Sequence, residues 1–181
     1  MKGVVFVELL SMAEQAVGED AVDKVVSGCP LASKGAYTSV GSYDSGELGT
    51  LVKGFSNATG HSVDALQRQF GHWMLRRFTE TYSPFFDAKP DAFSMLESIE
   101  NEVHVEVRKL YSDAELPRFD TTRLDDRTMR LVYTSPRRLI SFCQGLIEAT
   151  FKHYGETAEI EMVDKSTDST GIAEFTIRKT A

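Results

Sequence analysis

The hydrophobic pattern of this chain changes its period near Pro117, and this change constrains the fold more than any other feature. Upstream of Pro117, apolar residues recur at three- and four-residue spacing, which is the period of an amphipathic helix. Downstream, apolar and polar residues alternate, as is typical of strands with one buried face. The sequence therefore predicts a helical N-terminal part followed by a β-sheet.

The periodic segments and the turn residues between them predict the individual elements. We predict helices over residues 4–16, 21–26, 47–58, 63–81 and 92–111, and strands over residues 118–124, 129–133, 158–162 and 173–177. Ser62 and Asp91 are suited to cap the fourth and fifth helices, since their side-chain oxygens can accept free backbone N–H groups. A further helix is predicted over residues 136–154, with Ser135 as its N-cap and Pro136 at its first position.

The expected fold class is α+β, with a helical N-terminal part followed by a four-stranded antiparallel sheet with one helix inserted in its order. A length of 181 residues fits one domain of ordinary size. We therefore predict a single domain over residues 1–181, with a helical subdomain over about 1–62 and an α+β part over about 63–181.

Charge and composition exclude several classes of function. The net charge of −7 argues against a surface for nucleic acid, which needs clustered Lys and Arg. No apolar run is long enough to span a bilayer. Cys29 and Cys143 are too few for a disulfide framework and form no zinc-binding spacing. We expect a reduced, cytoplasmic protein that binds neither nucleic acid nor membrane.

A candidate binding site lies at residues 133–137, where a phenol, a hydroxyl and a guanidinium occupy one strand-to-helix junction. Tyr133, Ser135 and Arg137 are two residues apart and point to the same side of an extended segment. Arg137 offers a planar fork that matches a carboxylate. The junction is therefore predicted to bind an acidic ligand, although Arg137 and Arg138 could equally form a solvated basic helix start.

A histidine provides a second candidate. The four histidines, at positions 61, 72, 104 and 153, form no metal-binding cluster. A haem needs only one axial imidazole, because the porphyrin supplies four nitrogens. His104 falls on the edge of the apolar stripe of the fifth helix, which is formed by Leu96, Ile99, Val103, Val107 and Leu110. It can therefore face a pocket, or it can be an ordinary boundary histidine.

These features in combination resemble a known family. His104 lies in the segment Val-His-Val-Glu-Val-Arg-Lys-Leu-Tyr at residues 103–111, followed by Leu116-Pro117 and then by the Tyr133, Ser135 and Arg137 triplet. This order and spacing, together with the opening Met-Lys-Gly-Val-Val-Phe, resemble the H-NOX family. Its members are haem nitric oxide/oxygen sensors related to the haem domain of soluble guanylate cyclase. The resemblance covers essentially the whole chain.

The resemblance implies roles for single residues around a haem b buried between the helical part and the sheet. His104 would be the proximal ligand to the iron, and Tyr133, Ser135 and Arg137 would hold the propionates. Pro117 and Val5 would press on the porphyrin and keep it non-planar. The distal wall would be apolar, formed by Val5, Leu9, Met74, Phe78, Phe142 and Leu146.

The distal wall also bears on the choice of gas. Dioxygen on ferrous haem is retained by a hydrogen-bond donor, whereas NO binds tightly without one. In oxygen-binding members of the family, a distal tyrosine lies nine residues after the Tyr of the motif, and the residue here is Phe142. The resemblance therefore implies an NO sensor that binds CO weakly and dioxygen poorly.

The resemblance implies an indirect output. NO would weaken the bond between the iron and His104, so that the fifth helix and the haem relax together, as a two-state element biased by a ligand. The sequence contains no kinase, cyclase or phosphodiesterase motif. Stand-alone bacterial members of the family act on a histidine kinase or on a diguanylate cyclase/phosphodiesterase, and we expect such a partner here.

Two alternatives remain open. A haem peroxidase or oxygenase would need a distal acid–base pair, for which His72 and Arg76 are the nearest candidates because they share a helix face. That pair could also be part of a surface cluster with Arg77. The apolar distal wall is a second argument against an enzyme. The second alternative is a module without iron that binds another acidic, flat or fatty ligand through Arg137.

Overall fold

The computed structural model describes residues 1–180, and Ala181, the last residue of the predicted domain, lies outside them. The helices before the sheet are α1 Gly3–Val17, α2 Glu19–Gly28, α3 Gly46–Thr59, α4 Val63–Thr81, α5 Ser83–Asp87, α6 Ala92–Ser98 and α7 His104–Leu110. All five predicted N-terminal helices are present, and the short α5 was not predicted. No helix within residues 1–180 has the length and apolar content needed to cross a membrane.

The two predicted N-caps are confirmed. The Ser62 side chain accepts a hydrogen bond from the backbone N–H of Ala65, and the Asp91 side chain accepts one from Ser94. Each bond satisfies one of the backbone donors that a helix leaves free at its start. These caps fix where α4 and α6 begin, and therefore where the residues that follow on each helix point.

The sheet has four strands, all paired antiparallel, in the order β1-β2-β4-β3. The strands are β1 Arg118–Arg123, β2 Thr128–Ser135, β3 Thr157–Asp164 and β4 Gly171–Thr180. Alternate residues of β2 and β4 are buried on one face, which is covered by the helix α8 Ile140–His153. The predicted α+β fold, with one helix inserted between the second and third strands of the sequence, is confirmed.

The predicted start of the inserted helix is wrong. The helix begins at Ile140, and Ser135 is the last residue of β2 rather than a cap. The carbonyl of Arg137 accepts hydrogen bonds from the Tyr133 hydroxyl and from the Leu139 N–H, so residues 136–139 form a separate turn. A helix starting at Pro136 would instead need that carbonyl for the N–H four residues later.

The predicted fifth helix contains a π-helical turn over Ile99–Val103, between α6 and α7. The N–H of His104 donates to the carbonyl of Ile99, five residues earlier. Because this turn holds one more residue than an α-helical turn, it changes which residues face inward. His104 is buried, whereas Leu110 is 68% exposed, so the prediction that Leu110 belongs to the buried stripe is wrong.

The helix α8 lies between two apolar cores, which we call the sheet core and the helical core. Ile140, Cys143 and Ile147 of α8 join the sheet core with β2, β4 and α6. Phe142 and Leu146 pack against the helical core, which α1 to α4 form. Since residues three or four apart share a face of a helix, α8 joins the two halves of the fold.

The crossing of α4 and α8 depends on two glycines. A Cβ added to Gly145 would overlap the carbonyl oxygen of Arg68, and one added to Gly71 would overlap that of Phe142. Protein interiors have no free volume to absorb such overlaps. The close approach positions the apolar residues of α4 and α8 side by side in the helical core.

Candidate functional site

His104 lies at the start of α7 and is 7% exposed. Its Nδ1 lies 2.9 Å from Oε1 of Glu100, one helical turn earlier. A carboxylate can only accept, so Nδ1 carries the proton of this hydrogen bond. Within residues 1–180, no hydrogen bond occupies the second ring nitrogen, Nε2.

The charge state of His104 follows from its environment. Burial lowers the pKa of His104 below its usual value, and the negative charge and hydrogen bond of Glu100 only partly offset this effect. The ring is therefore neutral at neutral pH, with Nδ1 protonated and the lone pair on Nε2. This is the form in which imidazole binds a metal ion.

Glu100 makes a second contact with the same oxygen. Oε1 accepts a hydrogen bond of 2.9 Å from the backbone N–H of Phe119 in β1. The Phe119 ring lies between those of His104 and Tyr133, with centroids 5.7 Å and 5.8 Å away. A row of aromatic rings therefore connects His104 with the motif on β2.

The predicted acidic-ligand motif forms one compact turn. The Tyr133 hydroxyl donates to the Arg137 carbonyl at 2.7 Å, and the Ser135 hydroxyl accepts from the Arg137 N–H at 3.1 Å. Tyr133 and Ser135 are buried. The two hydroxyls thus fix the backbone of Arg137, which sets the direction of its guanidinium.

The guanidinium of Arg137 holds a carboxylate of the chain itself. It donates to the Glu115 carboxylate at 2.5 Å and to the Glu115 carbonyl oxygen at 2.6 Å. The Arg137 side chain is 16% exposed, whereas that of Glu115 is 76% exposed. One N–H of the guanidinium therefore binds a carboxylate and another binds a backbone carbonyl, so the group is available to an acidic ligand that displaces Glu115.

The six residues predicted to form a distal wall come together in one place. Leu9 and Met74 are members of the helical core, and Val5, Phe78, Phe142 and Leu146 pack against it. The ring of Phe142 lies 5.1 Å from that of Phe70. They therefore form an apolar set within one cluster, contributed by α1, α4 and α8.

A polar network fixes two of the helices that carry this apolar set. Glu8 on α1 accepts hydrogen bonds from Nε1 of Trp73 at 2.8 Å and from Nε of Arg77 on α4. Glu8 immediately precedes Leu9, and Trp73 immediately precedes Met74. The network therefore holds α1 and α4 at a defined distance where the wall forms.

The remaining candidates lie elsewhere. Pro117 is half-buried in the connection between α7 and β1. Nε2 of His72 lies 3.0 Å from the Glu148 carboxylate, and the Arg76 guanidinium stacks over the Trp73 ring at 4.3 Å. Each of these two side chains has its own partner, so they do not face a common substrate position as an acid–base pair would.

Three residues that contact the site, Glu100, Phe119 and Glu115, were not predicted from the sequence. Glu100 lies four residues before His104 on a predicted helix, a spacing that brings two side chains together, so it could have been found. Phe119 lies on β1, which pairs with β2, and Glu115 contacts Arg137 in the turn after β2. Those contacts depend on tertiary structure and leave no local signal in the sequence.

This donor set fits a haem. The neutral His104 ring offers Nε2, the Arg137 guanidinium already donates to a carboxylate, and the apolar set supplies side chains against which a porphyrin would pack. Within the described residues, no group of three or more His, Cys, Asp or Glu side chains could hold a metal ion. A single histidine is sufficient to bind a metal ion only where a cofactor supplies the other ligand nitrogens.

Comparison with known proteins agrees with this chemistry. A family model described as haem-NO-binding matches residues 2–162. The unliganded Fe(II) H-NOX protein from K. algicida is 35% identical, with 100% of this chain and 97% of that chain covered and a TM-score of 0.94. No curated protein matches the chain.

More distant structures share the fold. An H-NOX protein from S. oneidensis in the Fe(II)NO state is 22% identical, with both chains fully covered and a TM-score of 0.88. An oxygen-binding H-NOX domain related to soluble guanylate cyclases, in its oxygen complex, is 22% identical, with 100% and 96% covered and a TM-score of 0.83. With the family match over residues 2–162, these findings confirm the resemblance noted in the sequence: this chain belongs to the H-NOX family of haem-binding gas-sensor domains.

Proposed function

We propose that this protein is a sensor of nitric oxide that binds haem b and signals to a separate protein. The choice of nitric oxide rests on the apolar set around Phe142. None of the six side chains predicted to form this set has a hydrogen-bond donor. The rest of the site supports the cofactor, and the family supports the sensing role.

Each part of the site has a role in holding the cofactor. His104 binds the iron through Nε2, and Glu100 keeps Nδ1 engaged so that the ring cannot turn. Arg137 exchanges the exposed Glu115 carboxylate for a propionate, in a turn prepared by Tyr133 and Ser135. Pro117 and Val5 would press on the porphyrin and keep it non-planar. The haem, when bound, supplies a ferrous iron with an open position for the gas.

The apolar set excludes polar stabilisation of the gas. Phe142 packs on Phe70, and Leu9 and Met74 are almost fully buried. Dioxygen therefore finds no donor for its partial negative charge, whereas NO needs none. We infer tight binding of NO, weak binding of CO and poor binding of dioxygen. The S. oneidensis structure contains NO, and the oxygen-binding relative contains dioxygen, so the family accommodates both gases.

We propose that the output is indirect. A haem bound here would respond to NO through its bond to His104, and Glu100 would transmit a displacement of His104 to β1, because its carboxylate accepts hydrogen bonds from both His104 and Phe119. A histidine kinase or a diguanylate cyclase/phosphodiesterase in trans is the proposed partner, in the cytoplasm. The free thiols Cys29 and Cys143 agree with a reducing compartment. The protein itself performs no catalysis in this proposal.

Absorption spectra of the purified ferrous protein under argon, air, CO and NO test the function. We expect a Soret band, a stable NO complex, a CO complex only at high CO concentration, and no stable oxy complex in air. A protein that takes up no haem after supplementation would refute the haem assignment. A stable oxy complex would refute the choice of NO, and steady turnover of peroxide would restore the enzyme alternative.

A further inference from the structure

Glu100 makes two hydrogen bonds through one oxygen. Oε1 accepts from Nδ1 of His104 and from the N–H of Phe119, each at 2.9 Å. The Glu100 side chain is 25% exposed and that of His104 is 9% exposed, so the pair is largely shielded from water. A hydrogen bond to a charged acceptor is stronger in such an environment than at the surface.

The other carboxylates on this stretch have different partners. Glu97 pairs with Arg123 at 2.7 Å, and Glu102 pairs with Lys89 at 2.6 Å. Glu106, which follows His104, pairs with Lys109. None of these three ion pairs includes His104, whereas Glu100 is placed against its ring. The π-helical turn Ile99–Val103 contains Glu100 and ends at the residue before His104.

A carboxylate bound to one nitrogen of an imidazole changes the other nitrogen. It holds the proton on Nδ1, fixes the orientation of the ring, and raises the basicity of Nε2. The carboxylate also makes the imidazole ring harder to displace from a metal ion, because part of the negative charge of the carboxylate is shared with the ring. These effects require only the contact between Glu100 and His104.

We infer that Glu100 is a positioning residue that sets how firmly His104 holds the haem iron. This inference rests on the proposed role of His104 as the iron ligand. The hydrogen bond from Phe119 adds a mechanical link, since it anchors the same carboxylate to β1. Any movement of His104 away from the iron therefore strains or breaks a contact with the sheet.

Resonance Raman spectra of the unliganded ferrous protein test the inference, through the iron–histidine stretching band. The variants are Glu100→Gln, Glu100→Ala and the control Glu102→Gln, which makes the same chemical change within the same π-helical turn. We expect the band to move to lower frequency in Glu100→Gln and further in Glu100→Ala. The rate of haem transfer to an acceptor apoprotein should rise about 10-fold in Glu100→Ala, while the control matches the wild type.

The outcomes separate this inference from the proposed function. A wild-type protein without an iron–histidine band would refute His104 as the ligand, and the inference with it. If the wild type shows the iron–histidine band and its frequency is the same in Glu100→Gln and Glu100→Ala, the inference is overturned while the proposed function stands. A purely structural role predicts lower thermal stability of the apoprotein without a shift of the band.

The wild-type protein provides a measurement that does not depend on folding of the variants. A proton held between Nδ1 and Glu100 should give a slowly exchanging proton NMR signal in the ferrous protein. If the variants fail to fold and this signal is absent, the inference is rejected. If the signal is present, the hydrogen bond exists in the haem-bound protein, as the inference requires.

Discussion

The guanidinium of Arg137 binds the carboxylate of Glu115 at 2.5 Å, in a turn whose backbone the hydroxyls of Tyr133 and Ser135 hold in place. An arginine that is prepared to bind one carboxylate is prepared to bind another of similar reach. Because Glu115 is 76% exposed, it can leave the fork at little cost when a propionate arrives.

Replacement of Arg137 by Leu should accelerate haem loss. The variant loses charge-assisted hydrogen bonds to the propionates, each of which contributes about 1.5–3 kcal/mol, so we expect a haem dissociation rate roughly 10-fold or more above that of the wild type. Haem transfer to an excess of acceptor apoprotein measures this rate. The neighbouring Arg138→Leu is the control, and equal rates for the two variants would reject the clamp.

His104→Ala should abolish stable haem binding. Without Nε2 the iron has no protein ligand, and added imidazole should restore the Soret band by filling the gap left by the side chain. Titration with haem, with and without imidazole, measures the effect. His61→Ala removes an exposed histidine and should behave as the wild type. Unchanged haem spectra in His104→Ala would show that another residue is the ligand.

Phe142→Tyr should slow the dissociation of dioxygen. The new hydroxyl adds a hydrogen-bond donor to a wall that lacks one, next to the ring of Phe70. Flash photolysis of the CO complex under mixtures of CO and dioxygen gives the dissociation rate of dioxygen, even for a protein that forms no stable oxy complex in air. Phe70→Tyr, in which the hydroxyl is placed on α4 instead of α8, is the comparison. No change in the lifetime of the oxy complex would place Phe142 away from the bound gas.

Gly145→Ala should destabilise the fold. Its Cβ would overlap the Arg68 carbonyl, and relief of that overlap requires α4 and α8 to separate, at a cost of about 1–3 kcal/mol in the free energy of unfolding. Denaturant unfolding of the apoprotein measures the difference. Gly49→Ala, within α3 and facing open space, is the control and should be neutral or stabilising by about 0.5–1 kcal/mol. Equal stability of the two variants would contradict the close crossing.

Asp91 should contribute stability that depends on pH. Burial acts to raise its pKa, but hydrogen bonds from Lys179 and Ser94 outweigh that effect and lower the pKa from 3.8 to about 2. Because the folded-state pKa is depressed, the contribution is complete above about pH 4 and is lost as the pH falls towards 2. Asp91→Asn keeps an N-cap acceptor but loses the charge.

The free energy of unfolding as a function of pH measures this contribution. The wild type should be more stable than Asp91→Asn at pH 6, and the difference should shrink between about pH 4 and pH 2. A difference between the wild type and Asp91→Asn that stays constant over this range would show that the charge of Asp91 has no part in it.

Local patterns were sufficient to predict most of the fold. The change of period at Pro117 separated the helical part from the sheet, and the caps at Ser62 and Asp91 follow from rules that act within a few residues. The predicted start of α8 was wrong because the Tyr133 hydroxyl donates a hydrogen bond to the carbonyl of Arg137. That contact competes with the first helical turn and cannot be inferred from N-cap preferences alone.

The chemistry of the site was less accessible from sequence. His104 and Arg137 could be named from residue type and spacing, but their partners could not. Glu115 reaches Arg137 only because β1 and β2 pair, and Phe119 reaches Glu100 only because β1 starts beside the π-helical turn. Contacts between distant parts of the chain depend on the fold as a whole.

The π-helical turn also makes the site sensitive to the number of residues before it. Removing Asn101, Glu102 or Val103 would convert the turn to a regular α-helical turn and shorten the spacing between Glu100 and His104 from four residues to three. The Glu100 carboxylate would then approach the ring from a different direction, even with both side chains unchanged. A change of chain length could therefore alter how a member of this family holds its cofactor without replacing any residue that contacts it.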